Sequence, residues 1–448
     1  MLSAGNGTAR HSLGKYLWNR FYGRGMSSVS WVAFSEGERK RTLDILSAFS
    51  ESGTLDELGI GRVRDAFSDL LFPGTSTIQT RARYFLIIPW IYRNLERQSP
   101  VANAARRARQ YEIKLIDLFR HQMAAGEGDT RGVIGGTAGA DLVQLPSQIY
   151  WQGLSRWGIR SRIGQRAVYH RLLGARSFDS LAAGEELDPL SGDPTWWDRE
   201  LPPEPDELWE APTLALEAPE AVYLQEMVTI KQPGTLLAAL ADQGEKLPSS
   251  SLPWHLPAEI RDNLLPEVTD HLRHAENFSM AMNGATILFN LMIAEQKQDG
   301  AEFIDQYRAH FTEWSSRVSS RAEQLSEWFD TSKAREEFWS IAKLGNPRLP
   351  GSREKEFIET WIEKTIDAPA SLIEDAEVRR LIAERELWLK GPNRAKLASA
   401  SALEAWIGGP GAAPLEFRWG TVRTLINDIA DGLAIGDSSA TGEPVARA

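Results

Sequence analysis

Apolar residues recur every three or four positions along much of this chain, the spacing that places them on one face of an α-helix. In the first third, the pattern predicts a helix over residues 62–72 that ends at Pro73, because proline disfavours helical geometry in the residue before it. A longer apolar run follows over residues 80–92. It is too long for a typical strand and contains Pro89, so it predicts a buried, kinked helix.

A third, longer helix is predicted from Ser99 to about Met123. Ser99 suits the N-cap and Pro100 suits the first helical position, where a missing backbone N–H costs nothing. The cationic residues of this helix fall outside its apolar stripe, so they are expected at the surface. They are Arg106, Arg107, Arg109 and Lys114.

Two short helices after a glycine-rich stretch have the format of a helix-turn-helix. Ser147 is expected to cap the first, Gly158 to end it, and the second should cover residues 163–173. Arg162 and Arg166 accompany the second helix. The arrangement predicts a helix-turn-helix or winged-helix-like unit in the N-terminal part.

The second half shows helical stripes and no run of alternating strands, so we predict a mainly α, multi-helix protein with two domains. Gly284 interrupts one stripe and would be tolerated where another backbone packs closely. Seven prolines and many acidic residues mark an extended connector, which Trp196, Trp197 and Trp209 should pin to the body. The expected divisions are a flexible basic arm (1–25), an Arg-rich helical domain (26–180), the connector (181–221), a helical C-terminal domain (222–435) and a disordered tail (436–448).

Charge is distributed unevenly along the 448 residues. Residues 1–180 contain 25 Lys and Arg against 15 Asp and Glu, although the whole chain has a net charge of −11. Of those 25 basic residues, 22 are arginine, whose planar guanidinium suits phosphate oxygens. This asymmetry predicts binding of nucleic acid, most simply DNA, or of another polyanion.

Composition otherwise predicts an ordinary cytoplasmic protein. The chain has no cysteine, which excludes disulfides and thiolate metal sites. The long uncharged segment at residues 278–294 is too short and polar for a bilayer span. Residues 1–25 lack an apolar segment of signal-peptide length, and patterning begins near Met26, so either Met1 or Met26 could be the true start. The sixteen tryptophans are expected to serve mainly as structural anchors.

The candidate nucleic-acid-binding residues are the arginines and the lysine of the N-terminal domain. They are Arg81, Arg83, Arg106, Arg107, Arg109, Lys114, Arg131, Arg162 and Arg166. For Arg81 and Arg83, which lie beside an apolar run, an internal ion pair with Asp65 or Asp69 is equally compatible with the pattern.

Other chemistry has little support in the sequence. The glycine-rich segment 132–139 lacks the Gly-Lys-Ser/Thr of a phosphate loop, so close backbone packing or a mobile loop is the simpler interpretation. His271 and His274 share a helical face, but no third ligand accompanies them, which favours hydrogen bonding over zinc. We therefore expect no metal and no cofactor, and find no sequence evidence for an active site.

Several long segments together resemble an uncharacterised prokaryotic family classified only as a domain of unknown function. They are residues 56–65, 71–85, 89–92, 132–135, 146–159, 284–292, 390–397 and 418–419. The resemblance extends over about residues 26–433. Members are similar in setting to proteins encoded beside helicases and phospholipase-D-like nucleases in phage-defence gene clusters, which implies a task on nucleic acid without naming catalytic residues.

Taken together, these observations predict a non-catalytic nucleic-acid-binding or adaptor subunit of a phage-defence system. Its basic N-terminal part, residues 1–180, would hold the phosphate backbone, and its acidic remainder would face a protein partner such as a helicase. Two alternatives stay open: a metal-dependent nuclease of unfamiliar type, and a structural scaffold in which the arginines pair internally.

Overall fold

The protein is described by a computed structural model. It covers residues 56–174, 195–249, 252–297, 301–406, 408 and 413–441. All of these belong to one compact unit that begins at residue 50. The predicted basic arm and the first part of the connector, residues 181–194, lie outside the described residues.

Within the described ranges, the chain forms sixteen α-helices, three 3-10 helices and no β-strand, which confirms the mainly α, multi-helix class. The helices are α1 (Gly61–Leu71), α2 (Tyr84–Arg97), α3 (Ala104–Ala125), α4 (Pro146–Arg156), α5 (Arg166–Gly174), α6 (Ala218–Lys231), α7 (Leu236–Gln243), α8 (Ala258–Arg261), α9 (Pro266–Gln296), α10 (Ala301–Ser320), α11 (Ala322–Phe329), α12 (Ser332–Gly345), α13 (Ser352–Asp367), α14 (Ala376–Lys390), α15 (Ala400–Glu404) and α16 (Trp419–Thr441).

Helix α1 confirms the helix predicted for its segment, and α2 confirms a buried helix that contains Pro89. Helix α2 covers Tyr84–Arg97 and not the predicted residues 80–92, and its kink at Pro89 stays a prediction. Helix α3 begins at Ala104, so its predicted start at Pro100 was wrong. Asn103 adopts a left-handed conformation (φ 55°), and the N–H of Val101 donates to the carbonyl of Leu173 at 2.7 Å. The segment before α3 is therefore held at the end of α5 and cannot continue the helix.

The two short helices of the expected helix-turn-helix are present with different starts. Leu145, not Ser147, is the N-cap of α4, and its N–H donates to the side chain of Gln148 at 2.8 Å. Helix α5 begins at Arg166. Nine residues, 157–165, separate the two helices, whereas a helix-turn-helix uses a turn of about three or four. A helix-turn-helix or winged-helix function for this pair stays a prediction.

The connector is anchored as expected where it is described. Trp196 and Trp197 are fully buried, and Trp209 is half-buried. A continuous hydrophobic core extends from Leu58 to Ile429 and includes residues on both sides of the connector. The division into N- and C-terminal domains as separate folding units stays a prediction.

The C-terminal half is built around the long helix α9, which packs along α10. A Cβ atom at Gly284 would lie 2.2 Å from the indole of Trp314. The close neighbour at this glycine is thus a side chain and not the backbone that the sequence suggested. Helix α16 continues to Thr441, past the predicted start of the disordered tail at residue 436, and Gly436 packs close to Ala218.

In the described part of the chain, no helix has both the length and the apolar character needed to cross a bilayer.

Candidate functional site

Three of the predicted cations share the outer face of α3. The buried stripe of this helix includes Ala108 and Leu115, so side chains on the opposite side point to solvent. Arg106, Arg107 and Lys114 are exposed there, and none forms an ion pair with a described residue. We call these three residues the basic face.

Two aromatic side chains border the basic face. The rings of Tyr111 and Trp209 meet edge to face with centroids 5.6 Å apart, and the ammonium of Lys114 lies 5.1 Å from the Trp209 ring. Both rings are half-buried. Gln98 at the end of α2 donates to the Tyr111 hydroxyl at 3.2 Å. The border therefore joins α2, α3 and the connector.

Arg109 differs from its neighbours on α3. Its guanidinium donates to the carbonyls of Ala140 (2.8 Å) and Leu142 (3.1 Å) and is half-buried. These bonds hold the loop after the glycine-rich segment against α3. Its donors are already in use, in contrast to those of Arg106 and Arg107.

Arg81 and Arg83 form the internal ion pairs that the sequence left open. The Nε of Arg81 donates to both carboxylate oxygens of Asp428 at 3.0 Å, and the side chain is 11% exposed. Arg83 is 2% exposed and donates to Glu220 at 2.6 Å. Both side chains face the interior, where phosphate would have to displace a carboxylate.

The partners expected from sequence were wrong. Asp65 pairs with the adjacent Arg64, and Asp69 pairs with Arg418. Arg81 and Arg83 pair instead with Asp428 and Glu220, which lie 347 and 137 positions away in the sequence. A pairing across more than 100 positions has no local signature in sequence.

Arg131, Arg162 and Arg166 lie outside the basic face. Arg131 is 90% exposed and pairs with Asp129 at 2.9 Å, and this hydrogen bond lowers the pKa of Asp129 to about 2. Arg162 is half-buried beside Arg160, which donates to its carbonyl. Arg166 donates to the hydroxyl of a buried serine on α4.

That serine, Ser147, belongs to a buried polar cluster that sequence analysis missed. The carboxylate of Glu112 on α3 accepts from the Ser147 N–H (2.9 Å) and hydroxyl (2.8 Å). Burial raises the pKa of the Glu112 carboxyl to about 7, although its two hydrogen bonds with Ser147 act in the opposite direction and lower that pKa. Both side chains are inaccessible, so the cluster fastens α4 to α3 and offers no nucleophile to a substrate. The sequence feature that could have indicated this cluster is Glu112 itself, a single acidic residue within the apolar stripe of α3.

The glycine-rich segment packs closely, in agreement with the simpler interpretation. A Cβ at Gly132 would lie 2.8 Å from the Arg81 side chain, and one at Gly135 would lie 2.8 Å from Leu142. The N–H of Ile134 donates to the Tyr84 hydroxyl at 3.0 Å. Its amides therefore serve packing of the fold, and only a short 3-10 turn follows the segment.

His274 confirms the expected interhelical hydrogen bond. Its Nδ1 accepts from the indole N–H of Trp328 at 2.8 Å. Because burial lowers the pKa of His274 to about 4, the ring is neutral and its proton lies on Nε2. Asp270 and Glu337 are close enough to form a metal-binding group with Nε2, but that atom has no free lone pair. The geometry argues against a metal at this position.

A cleft between α2 and the connector is lined by three arginines that sequence analysis also missed, Arg93 and Arg97 on α2 and Arg199 in the connector. Arg93 and Arg97 lie one helical turn apart and line two adjoining cavities of about 500 and 260 Å³. Their i, i+4 spacing at the end of an otherwise buried helix could have identified them.

The segments that carry the family resemblance meet one another inside the fold. The Trp157 indole stacks on Phe85 with centroids 3.8 Å apart and donates to the Pro73 carbonyl at 3.0 Å. Tyr150 accepts from the Thr80 N–H at 2.8 Å. These segments are therefore internal joints of the fold, and the exposed candidate residues lie beside them.

Comparison with known proteins gives a family and no activity. The model of DUF6361, described as a family of unknown function, matches residues 26–433. No curated protein and no solved structure matches the chain. Because the match spans most of the 448 residues, the chain belongs to the DUF6361 family.

Proposed function

We propose that this protein is a non-catalytic nucleic-acid-binding or adaptor subunit of a prokaryotic phage-defence system, and that the basic face contacts the phosphate backbone. The supporting observation is that Arg106, Arg107 and Lys114 converge on one exposed surface without a carboxylate partner among the described residues. Unneutralised cations on one face are the electrostatic signature of backbone binding.

The aromatic border is consistent with this proposal. Tyr111 and Trp209 leave part of each ring accessible next to the cations. Aromatic rings beside a basic groove stack on bases in proteins that bind single strands. We therefore expect tighter binding to single-stranded than to double-stranded oligonucleotides.

The test is a salt titration of oligonucleotide binding with a charge-matched control. Each neutralised phosphate contributes about 0.7 to 0.9 to the slope of log affinity against log salt concentration. Replacing all three residues of the basic face by Gln should lower that slope by roughly 2 to 3. Arg109 is left intact because its hydrogen bonds to Ala140 and Leu142 support the loop.

The control carries the same charge change on the other half of the molecule. Lys333, Lys343 and Arg380 are exposed, and their replacement by Gln should leave the slope unchanged. If the two triple variants bind alike, or if the wild-type protein binds no oligonucleotide at low salt, the proposal is wrong. Parallel DNA and RNA titrations identify the nucleic acid.

A structural scaffold is the second candidate, and the Arg81–Asp428 and Arg83–Glu220 pairs favour it. It predicts no oligonucleotide binding at any salt and stable association with a neighbouring gene product.

For the adaptor we propose a helicase as the protein partner, tested by co-purification. Incubating DNA with the protein and Mg²⁺ tests the nuclease alternative, for which cleavage is the required result.

A further inference from the structure

Two of the three arginines in the cleft between α2 and the connector, Arg93 and Arg97, form no ion pair with a described residue. Arg93 has no hydrogen bond and no ion pair among the described residues. The guanidinium of Arg97 has a single bond, to the amide oxygen of Asn94 at 3.2 Å. Elsewhere in the fold, Arg81 and Arg83 do have carboxylate partners.

The cleft also contains carboxylates, but two of them, Glu96 on α2 and Glu204 in the connector, accept hydrogen bonds from neutral donors. Glu204 accepts from Asn94 and from the indole of Trp209. Glu96 accepts from the Tyr169 hydroxyl at 2.7 Å and from two further donors. These acids therefore complete the hydrogen bonding of the fold, and the arginines keep most of their donors for a ligand.

Asp198 and Asp206 complete the set of acids in the cleft. Asp198 accepts from the N–H of Glu200 at 3.0 Å and from the Tyr223 hydroxyl at 3.3 Å. Asp206 is exposed and lines the larger cavity together with Arg93 and Arg97. Its carboxylate would repel a phosphate beside it and accept a hydroxyl, which favours a ligand whose phosphate contacts Arg93 and Arg97.

The remaining wall of the larger cavity consists of Trp90, Leu201, Pro203 and Pro205. Trp90 and Leu201 are buried, so the accessible apolar surface of this wall lies on Pro203 and Pro205. The cavity volume of about 500 Å³ falls in the usual range for small-molecule sites. A single phosphate would leave this wall uncovered. A planar base attached to the phosphate would cover it.

We propose that this cleft binds a nucleotide, with its phosphate at Arg93 and Arg97 and its base against the apolar wall. The phosphate would come from a free mononucleotide or from the 5′-phosphate end of a strand on the basic face. The second source rests on the proposed function, and the first does not. Trp209 joins the two surfaces, since it contacts both Glu204 and Lys114.

Isothermal titration of the full chain with adenosine 5′-monophosphate, adenosine and inorganic phosphate tests the site. We expect the monophosphate to bind at least tenfold more tightly than adenosine or phosphate alone. The Arg93→Gln/Arg97→Gln variant should lose at least tenfold in affinity for the monophosphate. The Lys333→Gln/Lys343→Gln variant, with the same charge change, should bind as the wild type does, and melting curves check that both are folded.

The strand-end source is tested with oligonucleotides that differ only in a 5′-phosphate or 5′-hydroxyl. Tighter binding of the phosphorylated strand, lost in the Arg93/Arg97 variant, assigns the strand end. Binding of the monophosphate without that preference assigns the free nucleotide. Equal binding of phosphate and monophosphate, or no binding of either monophosphate or phosphorylated end, overturns the proposal. Because the monophosphate titration uses no strand, its outcome is independent of the basic face.

Discussion

The ion pair between Arg81 and Asp428 connects parts of the chain that are 347 positions apart, so its removal should affect the whole fold. It joins the segment before α2 to the last helix, α16, and both side chains are about one-tenth exposed. The carboxylate also accepts from the N–H of Ala82 at 2.7 Å. One acid thus satisfies two buried donors, and we expect Asp428→Ala to destabilise the whole protein.

The size of the effect follows from what the substitution leaves behind. Breaking a buried ion pair by removing one partner costs about 3–5 kcal/mol. Arg81 keeps Asp129 at 3.2 Å and the carbonyl of Arg131 at 3.0 Å, which favours the lower end of that range. Asp428→Asn keeps one acceptor oxygen, so about 2 kcal/mol is expected, the loss of one charged hydrogen bond.

Urea unfolding followed by tryptophan fluorescence and circular dichroism measures both changes. Asp431, three residues along α16, is the matched control, because its pair with Lys246 is more than half exposed. Asp431→Ala should cost at most about 1 kcal/mol. If Asp428→Ala costs no more than this control, the pair does not join the two halves. Two separate transitions, with only one shifted, would instead show that the halves unfold independently.

Three further predictions follow from buried positions. Gly284→Ala should destabilise by roughly 1–3 kcal/mol in urea unfolding, because the new Cβ would lie 2.2 Å from Trp314, and unchanged stability would contradict the close approach. Burial raises the pKa of Glu112 from 4.5 to about 7, so its neutral form stabilises the fold below about pH 4.5 and this contribution is lost as the pH rises through 7. Stability of the wild type relative to Glu112→Gln should therefore fall by on the order of 3 kcal/mol between pH 4.5 and 8, and a constant difference would refute the raised pKa. Added Zn²⁺ or a chelator should leave the melting temperature unchanged, because the Trp328 indole occupies Nδ1 of His274 and Nε2 has the proton; a metal-dependent rise would show a site there.

Local pattern predicted the helices well where apolar spacing determines them. Helices α1 and α2 match their sequence patterns, because burial of one face requires the periodicity that sequence displays. The start of α3 was missed because it depends on a tertiary contact, the bond from the Val101 N–H to the Leu173 carbonyl. A favourable Ser-Pro start is a weak local preference that such a contact overrides.

For the charged residues too, the sequence predicts what depends on the residue's own helix and does not predict what depends on a distant part of the chain. The exposure of Arg106, Arg107 and Lys114 was predictable, because they lie opposite the apolar stripe of their own helix. The partner of Arg81 was not, because Asp428 lies 347 positions away. A surplus of arginine in a sequence segment therefore overstates the cationic surface that the segment presents.

This distinction changes how the charge asymmetry of the chain should be interpreted. Arginines of the first half serve two opposite purposes: some pair with acids far along the chain, as Arg81 does with Asp428 and Arg83 with Glu220, and others keep their charge at the surface. The first group accounts for the internal joints of the fold. Only the second group can act on a ligand, and in the described residues it includes Arg106 and Arg107 on the outer face of α3, Arg93 and Arg97 in the cleft, and the exposed Arg156 and Arg171. Because Trp209 links the outer face of α3 and the cleft, an anion that engages one is positioned to reach the other. The functional surface is therefore better defined by which guanidinium groups lack a carboxylate than by how many the sequence contains.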